Sequence, residues 1–484
     1  MRRPGDILLI SCYELGHQPF HLASLMAMLR QAGYSPVAVD AAVEALSDEV
    51  IARACFVGIA VQMHTALRLG EQIAQRVRST NPAAHICCYG LYALLNADYL
   101  LYERGIGPGT INQGTISQGT INRAPTDSVI GGEYEVPLLH LVAALEQDQH
   151  ATIPGVRTRD SESAAWVQRT PFVVPERTQL PALERYARLQ VSTELRLAGY
   201  TETTRGCKHT CLHCPITPIY QGRFFAIPAE VVLQDIRAQV AQGARHITFG
   251  DPDFWNGPTH AMRILRSLHQ EFPSVTFDAT IKIEHLLKHR LLLAEMKELG
   301  CAFIVSAVES LHDSVLQRLD KGHSSADVAE AFALVERVGI PLRPSLLPFS
   351  PWETLESYSA LLDFFEQRHL IEHLDPVHLS IRLLIPPGSA LLDTPDSHTW
   401  LGELDTTAYT YQWQHPDPRM DELQRSIAAL VEQAQSNDAD PLETFFRVKA
   451  LTYAIQGRDF SICDAIRRYG ARKILPHLTE SWFC

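Results

Sequence analysis

Short apolar runs alternate with helical patterns through the first third of the chain. Continuous apolar runs are typical of buried parallel strands, and they occupy residues 6–11, 36–40, 56–61, 85–90 and 128–133. A helical spacing of apolar residues predicts helices at 19–33, 65–78 and 136–145. This alternation predicts a doubly wound parallel sheet, whose ligands bind at the carboxyl ends of the strands. We therefore expect the segments 13–21 and 62–65 to line a crevice.

A second series of strands and helices begins near residue 195. Strand patterns occupy 244–253, 275–280, 301–309, 342–347 and 378–385, with helical patterns at 228–242 and 259–272. Units in this number predict a partial parallel barrel with its chemistry at the carboxyl ends of the strands. Further amphipathic helices are predicted at 420–435, 442–455 and 462–469, where they would close one side of the barrel.

The predicted fold class is therefore α/β, in four parts. They are a Rossmann-like doubly wound sheet (1–150), a linker (151–194), a partial (β/α)6 TIM barrel (195–400) and a C-terminal helical extension (401–484). A Gly-Thr-Ile repeat at 109–122 predicts a surface insert in the first domain. The histidine-rich segment 285–289 is interpreted as a solvated helix.

Composition narrows the classes of partner. The chain has 484 residues, of which 46% are hydrophobic and 20% are charged, a balance typical of globular domains. Its formal net charge of −13 argues against a nucleic-acid backbone as the main partner. No apolar run is long enough to span a bilayer, and no signal-like apolar region follows the first residues. We expect a cytoplasmic protein with neither a membrane nor a nucleic acid as partner.

Three of the ten cysteines lie on one short stretch. Cys207, Cys211 and Cys214 have the spacing C-x3-C-x2-C. Thiolates are the preferred ligands of iron–sulfur clusters, and three of them leave the fourth iron of a [4Fe–4S] cube open to another molecule. A zinc site completed by His209 and His213 is the alternative at this loop. A structural zinc or cluster protein that binds a partner is the corresponding non-enzymatic alternative.

The cysteine spacing and the order of the downstream strands resemble the radical S-adenosylmethionine (SAM) family over about residues 195–395. The resemblance implies an enzyme in which the open iron of a [4Fe–4S] cluster binds SAM. It also implies an external electron donor, a small-molecule substrate and transferase chemistry. Glu309 is a candidate catalytic residue at the end of the fourth barrel strand.

The same resemblance implies SAM contacts at the predicted strand ends. They are Gly250, Asp251 and Asp253 beside the SAM amino group, Ser306 and Glu309 near the ribose and methionine moiety, and His213 near adenine. Arg382, on the last predicted strand, is a further candidate because a guanidinium suits carboxylate recognition. The alternative for each acid is a helix N-cap or a structural ion pair.

The N-terminal sheet, with Gly-Glu-Tyr-Glu at 132–135, resembles the cobalamin-binding domain that precedes many radical SAM domains. Cobalamin is therefore an additional candidate cofactor. The sequence departs from that pattern because the D-x-H-x-x-G loop, which supplies a histidine to cobalt, is missing. His17, His21 and His64 lie near the predicted crevice but outside such a loop.

The end of the chain suggests a more specific chemistry. Segments around 204–220, 246–258 and 309–323, with the terminal Trp-Phe-Cys484, resemble radical SAM proteins with a cysteine- or selenocysteine-containing tail, including those of arsinothricin biosynthesis. The resemblance implies transfer of the 3-amino-3-carboxypropyl group of SAM to trivalent arsenic, as arsenite, with Cys484 or Cys463 as candidate thiols. The alternative is 5′-deoxyadenosyl radical chemistry with cobalamin-dependent methylation or rearrangement.

Overall fold

The computed structural model describes residues 1–102, 124–149 and 151–480. The Gly-Thr-Ile repeat and the predicted thiol of Cys484 lie outside these residues. Most elements occur within two residues of the positions that the apolar pattern predicts.

The N-terminal domain contains a six-stranded sheet with the order β2-β1-β3-β4-β5-β6. Its strands are β1 (Ile7–Ser11), β2 (Val37–Asp40), β3 (Phe56–Ala60), β4 (His85–Tyr89), β5 (Ser128–Ile130) and β6 (Val156–Thr158). The first five pair in parallel, and β6 is antiparallel to β5. Its helices are α1 (Phe20–Gln31), α2 (Asp48–Arg53), α3 (His64–Thr80), α4 (Leu91–Leu95), α5 (Ala97–Leu101) and α6 (Glu135–Glu146).

Burial on both faces explains why the strands of this sheet are continuous apolar runs. Every residue of β1, β3 and β5 is buried. One apolar cluster covers one face of the sheet and includes residues of α3, and a second covers the other face and includes residues of α1 and α6. A parallel sheet covered by helices on both sides has no solvated face that would impose alternation.

The second domain contains a seven-stranded sheet with the order β14-β13-β12-β11-β8-β7-β17. The strands of this half of the chain are β7 (Arg188–Val191), β8 (Glu194–Thr201), β9 (Thr204–Gly206), β10 (Phe224–Ala226), β11 (His246–Phe249), β12 (Thr276–Thr280), β13 (Cys301–Glu309), β14 (Leu342–Leu346), β15 (Leu401–Asp405), β16 (Thr410–Trp413) and β17 (His477–Leu478). Strands β8 and β11 to β14 pair in parallel, and β7 and β17 are antiparallel additions at one edge.

The helices of this half flank the parallel strands and then extend beyond them. They are α7 (Ile216–Tyr220), α8 (Ala229–Ala241), α9 (Pro258–Glu271), α10 (Ile283–Lys288), α11 (Leu293–Glu298), α12 (Asp313–Arg318), α13 (Ser325–Val338), α14 (Leu355–Gln367), α15 (Pro418–Ser436), α16 (Pro441–Ile455) and α17 (Ile462–Tyr469). A capping box at Ser324 and Asp327 begins α13, and Gly339 in the left-handed conformation ends it.

The predicted sixth barrel strand is not formed. Residues 378–385 contain the end of a short 3-10 turn, Pro376–Leu379, and one isolated parallel bridge between Phe349 and Arg382. The expected (β/α)6 barrel is therefore a half-barrel of five parallel strands. Trp413 explains the difference in part, because its indole N–H donates to the Leu383 carbonyl and the Arg382 guanidinium donates to the Trp413 carbonyl.

The segment predicted as a linker, 151–194, contributes to both sheets. It contains β6 at the edge of the first sheet and β7 in the second. Among residues 1–102, 124–149 and 151–480, no helix is long and apolar enough to cross a membrane.

Candidate functional site

A cavity of about 470 Å³ lies between the two domains. Residues that follow β1, β3 and β5 line one side of it, and residues at the ends of β8, β11, β13 and β14 line the other. The carboxyl ends of both parallel sheets therefore meet at one space. This is the place where parallel α/β sheets bind ligands.

The cysteine loop forms part of the barrel side of this cavity. It follows β9, which pairs with β10, and precedes α7. Gly206 has φ +76°, and a Cβ on it would lie 2.5 Å from the Tyr220 ring and 2.6 Å from the Arg223 carbonyl. Only glycine fits this approach to Cys207 without displacing its neighbours.

The three thiols fit a [4Fe–4S] cluster. Cys207 and Cys211 are buried, and Cys214 lines the cavity. Burial raises the pKa of Cys207 to about 12 and that of Cys214 to about 11, so without a metal these thiols keep their protons at neutral pH. Binding of iron would displace those protons. The ammonium of Lys282 lies 3.6 Å from the Cys211 Sγ, where it offsets the charge of a bound thiolate.

Glu309 lines the cavity between Lys321 and His213. Its Oε1 accepts from Lys321 Nζ at 3.0 Å and lies 3.2 Å from His213 Nε2. Burial alone would raise the pKa of Glu309, but Lys321 and His213 outweigh it and hold the pKa well below its usual range. Glu309 also has φ +64°, a strained conformation for a residue with a side chain. The structure thus brings the predicted residues Glu309 and His213 together.

Gly250 and Asp251 follow β11 and also line the cavity. A Cβ on Gly250 would lie 1.8 Å from the Tyr200 hydroxyl, so this position has no room for a side chain. The Asp251 carboxylate accepts from the Thr203 amide and from the hydroxyls of Thr203 and Thr204. Asp251 therefore holds the strand that leads into the cysteine loop. Burial raises its pKa to about 6.

Three of the residues predicted to contact SAM or the substrate lie outside the cavity lining or are held by other partners. Asp253 is outside the cavity lining, where its Oδ1 accepts from the Trp255 amide. Ser306 lies between Val305 and Ala307, which line the cavity, so strand alternation directs it to the opposite face. Arg382 lines the cavity, but its guanidinium donates to Asp421 and stacks on Trp413.

The opposite side of the cavity contains buried polar atoms that lack partners. Glu14 Oε1 and Gln62 Nε2 line the cavity without a hydrogen-bond partner in the described part of the chain. Ser11 Oγ and Tyr89 OH, at the ends of β1 and β4, are also buried and also lack a hydrogen-bond partner in the described residues. Burial raises the pKa of Glu14 to about 8, so this carboxyl is protonated at neutral pH. Buried polar groups are normally paired with protein, ordered water or a ligand, so these atoms offer hydrogen-bonding capacity to the cavity.

The three histidines near the crevice are neutral and packed. His21 bonds the Tyr134 hydroxyl at 2.8 Å, and His64 donates to the Ala408 carbonyl. His17 packs on the ring of Tyr200. Burial lowers the pKa of His17 to about 4 and that of His21 to about 3.

A buried ionic cluster joins the two domains beside the cavity. Arg205, two residues before Cys207, pairs with Glu135 at 2.5 Å and approaches Glu133 and Glu202 at 3.4 Å. Glu133 and Glu135 belong to the loop and helix after β5. This cluster was not predicted, because the residues around Arg205 in the sequence do not reveal partners about 70 residues away.

The C-terminal segment returns to the rim of the cavity. Strand β17 pairs with β7, and the Tyr13 hydroxyl donates to the Glu480 carboxylate. Glu480 also packs on Gly16. Cys463 is exposed on α17, which packs on α16, and it is not part of the cavity lining.

Comparison with known proteins identifies one family model and several partial relatives. Residues 201–365 match the model of the radical SAM superfamily. The ribosomal protein uS12 methylthiotransferase RimO of Geobacter sulfurreducens is 27% identical over 178 residues, which cover 35% of this chain and 40% of that protein. An uncharacterised methyltransferase of Pyrococcus horikoshii is 22% identical over 294 residues, with 59% of this chain and 61% of that protein covered.

Two solved structures share the two-domain arrangement. The cobalamin-dependent SAM radical enzyme OxsB, with aqua-cobalamin and SAM bound, superposes with a TM-score of 0.67 and 16% identity over 89% of this chain and 66% of that one. The radical SAM methyltransferase TsrM of Kitasatospora setae, with tryptophan and a SAM analogue bound, gives a TM-score of 0.55 and 17% identity over 75% of this chain and 71% of that one. At these identities the likeness shows the fold.

The α/β fold of parallel sheets and a half-barrel, the cysteine loop and the matched segment agree with one another. The chain therefore carries a radical SAM domain over residues 201–365, which makes it an enzyme and implies a [4Fe–4S] cluster and S-adenosylmethionine as its cofactors.

Proposed function

We propose that this enzyme is a cobalamin-dependent radical SAM transferase that acts on a small molecule held in the cavity between its domains. The observation that carries the proposal is the crevice of the N-terminal sheet, whose unpartnered polar atoms face the barrel across that cavity. Cobalamin fits this lining because its corrin ring carries amide side chains that both donate and accept hydrogen bonds. The proposal needs no histidine ligand to cobalt.

Different residues of the chain would hold the cluster, bind SAM or the substrate, and bind cobalamin. Cys207, Cys211 and Cys214 would hold the cluster, which supplies the electron that cleaves SAM. Glu309, kept ionised by Lys321, presents a negative charge to the cavity, where it would bind the amino group of SAM or a donor on the substrate. Glu14 and Gln62 would hydrogen-bond the amides of cobalamin, which supplies a cobalt able to carry a methyl group. Electrons would come from an external donor protein.

Binding of cobalamin is the first test. Hydroxocobalamin is added to the anaerobic full-length chain, free cofactor is removed by desalting, and bound cofactor is counted by absorbance. We expect about one cobalamin per chain, in line with a single crevice at the carboxyl ends of the sheet.

Gln62→Met removes the unpartnered donor, and Gln75→Met, on the exposed part of α3, is the matched control. Loss of one hydrogen bond should weaken binding by roughly two- to tenfold in Gln62→Met, with no change in Gln75→Met. A chain that retains no cobalamin, or equal affinities for both variants, would contradict the assignment of the crevice.

A second candidate function is transfer of the 3-amino-3-carboxypropyl group of SAM to trivalent arsenic. The observation that favours it is the return of the C-terminal segment to the cavity rim, where Glu480 bonds Tyr13. Cys484 follows four residues later, and four residues span at most about 14 Å. Trivalent arsenic prefers thiolate ligands, so Cys484 is the candidate thiol and Cys463 the second one.

The nucleoside product separates the two candidates. The reconstituted enzyme receives SAM and dithionite with or without arsenite, and the products of SAM are identified. Aminocarboxypropyl transfer leaves 5′-methylthioadenosine, whose yield should rise with arsenite and fall in Cys484→Ser. The other outcome is that 5′-deoxyadenosine or S-adenosylhomocysteine is the main product and that its yield does not change with arsenite. That result would contradict the arsenic reaction and favour the cobalamin-dependent one.

A further inference from the structure

We propose that His209, Asp253 and His285 form a second metal site, for a divalent ion such as Zn²⁺, directly behind the cysteine loop. The three side chains come from separate elements: the loop between Cys207 and Cys211, the segment after β11, and α10. Their ligand atoms all lie within 4.8 Å of one another. The sequence interpretation of 285–289 as a solvated helix is wrong at His285, which is fully buried.

The two distances to Asp253 are close to those around a shared ion, and the two imidazole nitrogens lie within 4.8 Å of each other. Asp253 Oδ2 lies 3.2 Å from His209 Nε2 and 2.6 Å from His285 Nδ1. Ligands bound at 2.0–2.1 Å in a tetrahedron stand about 3.3–3.4 Å apart. The first distance already has this value, and the second would widen by less than about 1 Å on binding.

The orientation of the same atoms is the stronger argument. The buried atoms His209 Nε2 and His285 Nδ1 lie within ion-pair distance of the buried Asp253 Oδ2, yet none of the three makes a well-aligned hydrogen bond within the described ranges. The three atoms are thus close together but not aligned as donor and acceptor. Such convergence without alignment is expected when the lone pairs point to a common centre rather than to each other.

Neighbouring groups orient two of the three proposed ligands, Asp253 and His209. Asp253 Oδ1 accepts from the Trp255 amide, which fixes the carboxylate and directs Oδ2 to the two imidazoles. The second nitrogen of His209, Nδ1, faces the Glu284 carboxylate at 3.7 Å, the usual outer partner of a metal-binding imidazole. The two carboxylates of Asp253 and Glu284 together balance the charge of a divalent ion.

The donor set selects the class of metal. Two imidazoles and one carboxylate suit Zn²⁺ and other first-row divalent ions, whereas the all-thiolate loop suits an iron–sulfur cluster. With three protein ligands, a fourth position remains for water. The ion would tie the loop that holds the cluster to α10 and to the end of β11, so its role would be to fix the cysteine loop in place.

Metal analysis tests the site without any reaction. The variant Cys207→Ser/Cys211→Ser/Cys214→Ser removes the thiols, and the full-length protein is dialysed against Zn²⁺ and then against metal-free buffer. We expect about one retained Zn²⁺ per chain, because the remaining site has three convergent ligands. Replacement by Co²⁺ should give ligand-field absorption without the thiolate-to-cobalt charge-transfer bands of a cysteine site.

Single substitutions in the triple variant locate the ion. His209→Gln and His285→Gln should abolish retention of Zn²⁺, whereas His289→Gln, whose ring packs against that of His285, should keep it. The same His variants in the wild-type background, with iron and zinc measured together, provide a comparison that does not depend on the triple variant. Loss of zinc with iron retained supports the site. Absence of zinc from both backgrounds, or retention in His209→Gln and His285→Gln, would leave Asp253 as a purely structural partner of two imidazoles and overturn the proposal.

Discussion

Replacement of Lys321 by Met should destabilise the barrel around Glu309 more than replacement of both residues does. The Lys321 ammonium donates to the Glu309 carboxylate at 3.0 Å, and the two side chains are 3% and 10% exposed. Lys321→Met leaves the carboxylate buried beside His213 alone. In Lys321→Met/Glu309→Gln the buried charge is also absent.

The expected magnitudes follow from that difference. Removal of one partner of a buried ion pair typically costs about 3–5 kcal/mol, and the remaining contact with His213 favours the lower part of that range. The double variant loses chiefly hydrogen bonds between neutral groups, at about 1 kcal/mol. The single variant should therefore be less stable than the double variant by about 2 kcal/mol or more.

Native-state hydrogen exchange followed by mass spectrometry measures the effect locally. Peptides over β13 and α12 should exchange roughly 100- to 700-fold faster in Lys321→Met than in the wild type, since each 1.4 kcal/mol is about tenfold. The double variant should exchange only about fivefold faster than the wild type. Peptides over β1 and β3, in the other domain, serve as internal controls.

The pH dependence supplies a second check. In the wild type the pKa of Glu309 is depressed, so its ion pair stabilises the fold above the unfolded pKa of about 4.3, and that stability is lost as pH falls through the folded pKa. Without Lys321, burial dominates and raises the pKa, so the penalty is greatest at high pH. The gap between wild type and Lys321→Met should shrink from pH 8 to pH 5. Equal exchange in the single and double variants would refute this account of the pair.

Three further changes follow from the same contacts. Gly206→Ala should reduce the iron bound after reconstitution, because the new Cβ meets the Tyr220 ring at 2.5 Å, and iron analysis checks it. Cys214→Ala should likewise abolish a stable four-iron cluster, whereas Cys301→Ala, at a buried thiol in β13, should leave the iron content unchanged. Glu14→Gln should flatten the decline in stability from pH 5 to pH 8, because burial raises the pKa of this acid to about 8 and its ionisation opposes folding over that interval; urea titrations at both pH values measure the change.

The strands could be predicted because strands that are buried on both faces occur in the sequence as continuous apolar runs. The apolar run at 56–61 became β3, buried on every residue, and the run at 301–309 became β13 with the predicted bounds. Residues 378–385 show the limit of this argument. Their apolar composition reflects packing against Trp413 and its neighbours rather than pairing in the sheet, and composition does not distinguish the two.

Several of the predicted site residues lie at one cavity, but the sequence does not reveal their contacts. The resemblance implies Gly250, Asp251 and Glu309 as SAM contacts, and the structure places all three in the lining of the cavity. The sequence could not separate Asp251 from Asp253, two positions apart. One binds Thr203 and Thr204, and the other faces two imidazoles, because the chain turns after β11.

The buried cluster around Arg205 gives the two-domain arrangement a physical consequence. Arg205 is two residues from Cys207, and its carboxylate partners Glu133 and Glu135 follow β5 at the edge of the crevice. Burial raises the pKa of Glu133, and Arg205 of the other domain opposes that rise, so the charge of Glu133 depends on how closely the domains approach. A ligand that moves the loop after β5 must also disturb a buried cation adjacent to a cluster ligand. We therefore expect a ligand that displaces the loop after β5 to alter the surroundings of Arg205, two residues from Cys207.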